Sequence, residues 1–114
     1  KFRNPVNHPS VFFNRIKILD IGGYPNVRLG QDYLLWITAN VKGLRIENMK
    51  DVLVLMQVNK KSYSRRGLIN LKYDIRPYIL MYNEGITNIV ELFIGLMLRF
   101  LFCSYASAKS KLLN

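Results

Sequence analysis

The sequence has very little of the chemistry on which most metal sites and nucleophile sites depend. Its 114 residues include one cysteine, Cys103, and one histidine, His8. A single cysteine excludes an internal disulfide, which fits a reducing compartment. One Cys and one His also give no support for a zinc site, or for a catalytic pair of Ser or Cys with His.

Acidic residues are the second scarce class. Seven Asp and Glu face 17 Lys and Arg, which gives a formal net charge of +10. This excess indicates an anionic partner, such as nucleic acid, acidic lipid or a phosphorylated substrate, and charge alone does not choose among them. No two aspartates are two residues apart, so the sequence has no Asp-x-Asp motif; the aspartates are Asp20, Asp32, Asp51 and Asp74.

Apolar residues are abundant. Half of the residues are hydrophobic, with seven Tyr and six Phe, so the composition is not that of a disordered chain. The length suits one small domain with one core. The sequence begins at Lys1, and we expect no signal peptide there and a chain that begins partway through a longer protein.

Local patterns predict a mixture of strands and helices. Runs of β-prone apolar residues predict strands at 10–13, 44–47 and 51–58, and the last of these is expected to be covered on both faces. Helical spacing, caps and breakers predict helices at 14–19, 32–42, 68–82 with an interruption at Pro77, and 86–104.

The region from Gly30 to Trp36 places one acid at the start of a buried helix. A turn residue precedes Asp32, and an apolar run that ends in the single tryptophan follows it. Such a carboxylate could act as a general base. It could equally be an N-cap, because Asp at a helix start accepts N–H bonds from the first turn.

Five segments, taken in order, resemble the C-terminal, acceptor-side half of bacterial family 2 glycosyltransferases; these are residues 4–13, 22–24, 31–36, 51–54 and 63–67. The resemblance implies an α/β fold, namely a partial GT-A (nucleotide-diphospho-sugar transferase) sandwich with C-terminal amphipathic helices. It assigns 1–62 to the acceptor-side part of the catalytic domain and 63–114 to a helical extension.

The implied reaction is the inverting transfer of a sugar from a nucleotide-sugar to an acceptor hydroxyl in cell-surface polysaccharide synthesis. Family members have Glu-Asp-Tyr where this chain has Gln31, Asp32 and Tyr33. They also hold a divalent metal, Mn or Mg, with an Asp-x-Asp motif on a donor-binding half. Because that motif is absent from this sequence, we expect the chain to be inactive by itself.

The resemblance makes Asp32 the catalytic base. Trp36 and Tyr33 become candidates for acceptor binding, and Trp36 shares a helix face with Asp32 since it lies four residues on. Trp36 could instead be a core aromatic. Candidate ligands for the diphosphate are Arg65, Arg66 and His8, although the arginines could belong to a solvated loop and the histidine could be structural.

The predicted helix at 86–104 raises the question of a membrane. Glu91 and Arg99 interrupt its apolar run, and both would be costly at bilayer depth. An interfacial helix fits better, with Lys109 and Lys111 facing anionic headgroups. The alternative is a helix that covers an apolar face of the donor half. We therefore expect a cytoplasmic protein, peripheral on the inner face of the bacterial plasma membrane.

A rival hypothesis is a small, basic, non-enzymatic module that binds anionic lipid or nucleic acid. Nucleic-acid binding predicts aromatic and basic residues interleaved on one exposed face. Most aromatic residues here fall within apolar runs instead, so we expect no nucleic-acid partner.

Overall fold

The computed structural model describes Asn4, residues 6–57 and residues 67–112, and all regular structure within these residues is helical. The helices are α1 Arg15–Asp20, α2 Gln31–Val41, α3 Leu71–Asp74, α4 Arg76–Asn83 and α5 Ile89–Leu112, with 3-10 turns at His8–Ser10 and Leu68–Asn70. The described residues form two compact units, one within Arg3–Leu55 and the other within Met56–Asn114.

The expected α/β sandwich is wrong for the described part of the chain, which contains no strand. Residues 11–13, 44–47 and 52–57 are irregular where strands were predicted. A β-branched run raises the local preference for a strand, but a strand forms only by pairing with a second one. Without such pairing the apolar side chains lie in solvent, with Val52 81% and Leu55 92% exposed.

Helix α1 follows the predicted capping pattern. The Asn14 side chain accepts a hydrogen bond from the Lys17 backbone N–H at 3.2 Å, as an N-cap does. At the other end the backbone N–H of Gly23 donates to the Ile18 carbonyl at 2.8 Å, with Gly23 at φ 67°. Glycine suits this left-handed backbone because it has no Cβ.

Helix α2 agrees with its predicted bounds to within one residue. Its N-cap is Gly30, whose φ of 77° again suits glycine. The residues that follow the first turn are buried in succession, which agrees with an apolar run on all sides of the helix; the buried residues are Leu34, Leu35, Trp36, Ile37 and Ala39. Leu35 and Trp36 pack with Ile18 of α1 and form the core of the Arg3–Leu55 unit.

The predicted interruption at Pro77 is confirmed. The helix expected over 68–82 divides into α3 and α4 at Ile75, and Pro77 lies in the first turn of α4, where its missing N–H removes no intrahelical bond.

Helix α5 begins later and ends later than predicted. Asn88 Oδ1 accepts from the Glu91 N–H at 2.8 Å, and Glu91 Oε2 accepts from the Asn88 N–H at 3.1 Å, a reciprocal pair that fixes the start.

Helix α5 packs against α3 and α4 through small buried residues, Gly95, Cys103 and Ala106. Arg99 lies on the same side, and its guanidinium pairs with the Asp74 carboxylate of α3 at 2.7 Å. The Cys103 thiol donates to the same carboxylate at 3.5 Å. A charge within an apolar helix is accommodated here because its counter-ion is supplied by the neighbouring helix.

In length and composition α5 could cross a membrane, with a mean hydropathy of 1.8, and it is the one helix of this kind among the described residues.

The thiol of Cys103 should react slowly at neutral pH. Burial, followed by the negative charge of Asp74, raises the pKa of Cys103 from 9.0 to about 11. The thiolate fraction at pH 8 is then about 100-fold lower than for an unperturbed thiol, since each pKa unit is a factor of ten. We expect slow labelling by a disulfide reagent at pH 8 and fast labelling in urea.

The raised pKa of Cys103 also makes the stability of the folded protein depend on pH. Because the folded state holds the Cys103 proton more tightly than the unfolded state does, the protonated thiol contributes to folding stability. This contribution is complete below pH 9 and is lost as the pH rises through about 11.

In the labelling experiment, a native-state rate equal to that of a free thiol would contradict the packing of α5 described above.

Candidate active site

Asp32 is the second residue of α2, and its side chain is half-buried. The N-cap position belongs to Gly30, so Asp32 does not have the N-cap role considered for it. As an acid in the first turn, it lies where the positive end of the helix dipole favours a carboxylate. The local sequence therefore presents an acidic group at the polar end of an otherwise buried helix.

Asn4 holds the Asp32 side chain. The Asn4 Nδ2 donates to Asp32 Oδ2 at 3.3 Å, and the Asn4 Oδ1 accepts from the Val6 backbone N–H at 3.1 Å. The two bonded side chains are 28 residues apart in the sequence. Sequence reasoning gave Asn4 no role beyond membership of a matching segment, because nothing in a local pattern predicts this contact.

Tyr24 and His8 lie on the same side of the unit as this acid. Partial burial, and then the negative charge of Asp32, raise the pKa of Tyr24. The Tyr24 hydroxyl is 3.4 Å from His8 Nδ1, and the two rings meet edge to face with centroids 5.7 Å apart. His8 is thus brought near the acid site through Tyr24, while its predicted contact with a diphosphate stays a prediction.

Trp36 is a core residue with only 5% of its surface exposed. Its ring lies 6.3 Å from the His8 ring and 6.2 Å from the Phe13 ring, between centroids, and its indole Nε1 is buried with no hydrogen-bond partner among the described residues. The packing interpretation of Trp36 agrees with this burial. Acceptor binding by Trp36, and by the half-buried Tyr33 beside it, stays a prediction.

Gln31, where the resembling family has Glu, closes the loop before α2. Its side-chain amide donates to the backbone carbonyl of Val27. An ionised carboxylate has no hydrogen to donate, so Glu could not make this bond. The departure from the family pattern therefore has a local structural use beside Asp32.

A cavity of about 530 Å³ opens within the Arg3–Leu55 unit. Phe13, Trp36 and the irregular residues 44–54 contribute to its lining, which mixes apolar and charged side chains. Asp32 and His8 do not line it. Trp36 lines the cavity and lies one helical turn from Asp32.

Two further predicted features are the arginine pair and the metal site. Arg65 and Arg66 lie outside the described residues. Over Asn4, 6–57 and 67–112, no three His, Cys, Asp or Glu side chains are grouped so as to hold a metal ion. The described residues thus do not fit the Mn or Mg site that the resemblance implies, and no chemical step is assigned to a metal here.

Comparison with known proteins finds three glycosyltransferases. The chain is 35% identical to the UDP-Gal:alpha-D-GlcNAc-diphosphoundecaprenol beta-1,3-galactosyltransferase of Escherichia coli, over 85% of this chain and 38% of that protein. It is 33% identical to an uncharacterized glycosyltransferase of Haemophilus influenzae, over 86% and 36%. It is 30% identical to the amylovoran biosynthesis glycosyltransferase AmsE of Erwinia amylovora, over 70% and 30%.

The chain therefore spans about a third of the length of the curated relatives it matches. No protein-family model matches the sequence. No solved structure matches it either.

The burial of Trp36 predicts its fluorescence. As the single tryptophan, it reports on one position, and a side chain 5% exposed should give blue-shifted emission that resists quenching by iodide. Urea should shift the emission to the red and restore quenching. Easily quenched emission in the native protein would contradict the core position of Trp36 and would favour an exposed Trp36 that binds the acceptor.

Proposed function

Because the chain corresponds to part of a glycosyltransferase, we propose that it supplies the acceptor side of an inverting family 2 enzyme in which Asp32 is the general base. The observation that carries the proposal is the Asp32 carboxylate, half-buried at the start of α2 and held by Asn4. The three relatives support the reaction class, and the activity of the whole enzyme is part of the proposal.

In the proposed step Asp32 accepts the proton of an acceptor hydroxyl as that oxygen attacks the anomeric carbon of the donor sugar. A new C–O bond forms while the bond to the nucleotide diphosphate breaks, and attack from the opposite face inverts the anomeric centre. The electron pair leaves with the diphosphate. Asp32 suits the base role by its position, because its half-buried side chain lies in the first turn of α2, at the polar end of the helix.

The proposed substrate class is taken from the name of a relative. The E. coli protein is named for UDP-galactose and a diphosphoundecaprenol-linked acceptor, so we propose a nucleotide-sugar donor and a glycan or lipid-linked acceptor here. Arg65 and Arg66 are proposed to neutralise the leaving diphosphate, because guanidinium groups bind phosphate oxygens well. A divalent cation, Mn or Mg, would need ligands from outside the described residues.

Asp32→Asn should abolish transfer while leaving donor binding intact. The amide is similar in size but takes no proton, and general-base catalysis contributes about 10²- to 10⁴-fold in rate. The assay would use the full-length enzyme that carries this chain, a panel of UDP-sugars and a lipid-linked sugar diphosphate.

The matched control for this variant is Asp20→Asn. Asp20 is an exposed acid at the end of α1 in the same unit, so its loss should leave turnover unchanged. Unchanged turnover in Asp32→Asn would refute the proposed base, and equal losses in both variants would point to a general effect of charge.

We also propose that α5 rests on an anionic membrane surface. One face of α5 carries an exposed outer stripe, defined as Val90, Phe93, Met97 and Leu101, with the spacing of a single helix face. Arg99 lies on the opposite side, paired with Asp74. The outer stripe would insert among lipid chains near the headgroups, as amphipathic interfacial helices do.

The charge distribution supports this orientation. Lys109 and Lys111 lie in the last turn of α5, and the Lys109 amine is 3.2 Å from the Tyr105 hydroxyl. Basic residues beside an inserted apolar face attract anionic headgroups. Each Lys or Arg near the surface contributes about 1 kcal/mol to the free energy of membrane binding. The proposed location is therefore the inner face of the bacterial plasma membrane.

Phe93→Asp should weaken binding to phosphatidylglycerol vesicles about tenfold or more, because burial of a phenylalanine contributes about 1.5–3 kcal/mol. Flotation with vesicles measures the bound fraction. Leu55→Asp is the control, since Leu55 is exposed and lies outside α5. Binding that survives Phe93→Asp and disappears with salt alone would indicate attraction without insertion and would contradict the proposal.

A further inference from the structure

We infer that Asn4 is a positioning residue for the catalytic base, fixing the Asp32 carboxylate through Oδ2 so that Oδ1 faces the acceptor hydroxyl. The inference rests on the proposed function of Asp32. Its own observation is the side-chain hydrogen bond from Asn4 Nδ2 to Asp32 Oδ2 at 3.3 Å.

The orientation of the Asn4 amide is fixed by a second bond. The Val6 backbone N–H is 3.1 Å from Asn4 Oδ1, and only the oxygen of the amide can accept from an N–H. If the amide were flipped, two N–H groups would face each other at Val6, and two oxygens would face each other at Asp32. The Val6 bond therefore directs the amide hydrogen of Asn4 toward the acid.

This arrangement gives Asp32 a neutral partner with one donor. A lysine or arginine at the same place would form a salt bridge with the carboxylate and oppose proton uptake. An amide donor restrains the side chain without adding charge, while one carboxylate oxygen is left for the substrate. A base must be held within hydrogen-bond reach of the proton that it takes, and small displacements are costly in rate.

The two roles of Asn4 can be separated by substitution. Asn4→Asp keeps an oxygen that accepts from the Val6 N–H and has almost the same shape, but it replaces the donor to Asp32 by a second carboxylate. Asn4→Ala removes both bonds. A purely structural Asn4 would lose activity only as far as a substitution lowers the melting temperature, whereas a positioning Asn4 would lose activity in Asn4→Asp at an unchanged melting temperature.

The test uses the full-length enzyme that carries this chain, with UDP-galactose and a lipid-linked sugar diphosphate as probes. If UDP-galactose is not turned over, the UDP-sugar that is used replaces it. Asn4→Asp is expected to lower kcat about 10- to 100-fold, with the donor KM and the melting temperature close to those of the unmodified enzyme. Asn26→Asp, which adds the same charge at an exposed loop position, should leave kcat unchanged.

A double-mutant cycle tests whether Asn4 acts through Asp32. Asp32→Glu moves the carboxylate by one methylene and should retain measurable transfer. Because the displaced carboxylate no longer meets the Asn4 amide, Asn4→Asp should cost less in this background than in the unmodified enzyme. Equal costs in both backgrounds would show that Asn4 acts independently of Asp32 and would overturn the inference.

The outcomes also separate the inference from the function on which it rests. Full activity in Asp32→Asn refutes the base, and with it the role of Asn4. Loss of activity in Asp32→Asn together with normal kcat in Asn4→Asp overturns the positioning role alone. A loss in Asn4→Asp that follows a lowered melting temperature, and matches that of Asn4→Ala, assigns Asn4 to structure and likewise overturns the inference.

Discussion

Helix α2 has four consecutive buried residues, 34 to 37, so it must be surrounded by other chain on more than one side. The rest of the Arg3–Leu55 unit is arranged to meet this requirement. Helix α1 contributes Ile18 to the core, and Gly30 allows the backbone to turn into the helix. The first turn is the place where this helix reaches the boundary of the core, and the acid at that boundary is Asp32.

The helices were predictable because their signals are local. Asn14 caps α1, Pro77 lies in the first turn of α4, and the apolar run after Asp32 is buried, as each pattern indicated. The absence of strands from the described residues was not predictable, because a strand forms only with a pairing partner, and its own residues do not specify that partner. The run at 52–57 has the composition of a buried strand but lies irregular and exposed in the described chain.

In the candidate site, too, the relations between residues close in sequence were predictable and the contacts between distant residues were not. Asp32 and Trp36 lie one turn apart on one helix, and their spacing alone predicts a shared face. The partner of Asp32 is Asn4, which lies 28 residues earlier and meets it only in the folded unit. The contact of His8 with Tyr24, 16 residues apart, is of the same kind. Spacing rules reach one or two helical turns, so they identify the acid and miss the residues that hold it.

The pairing of Arg99 with Asp74 has an evolutionary consequence. The two side chains are only 26% and 22% exposed, so neither charge is well solvated if the other is removed. A single substitution at either position would leave a partly buried lone charge, whereas replacing both with apolar residues of similar size can be neutral or favourable. Substitutions at these two positions should therefore occur together during evolution. Co-variation between them in related proteins would record the contact between α3 and α5.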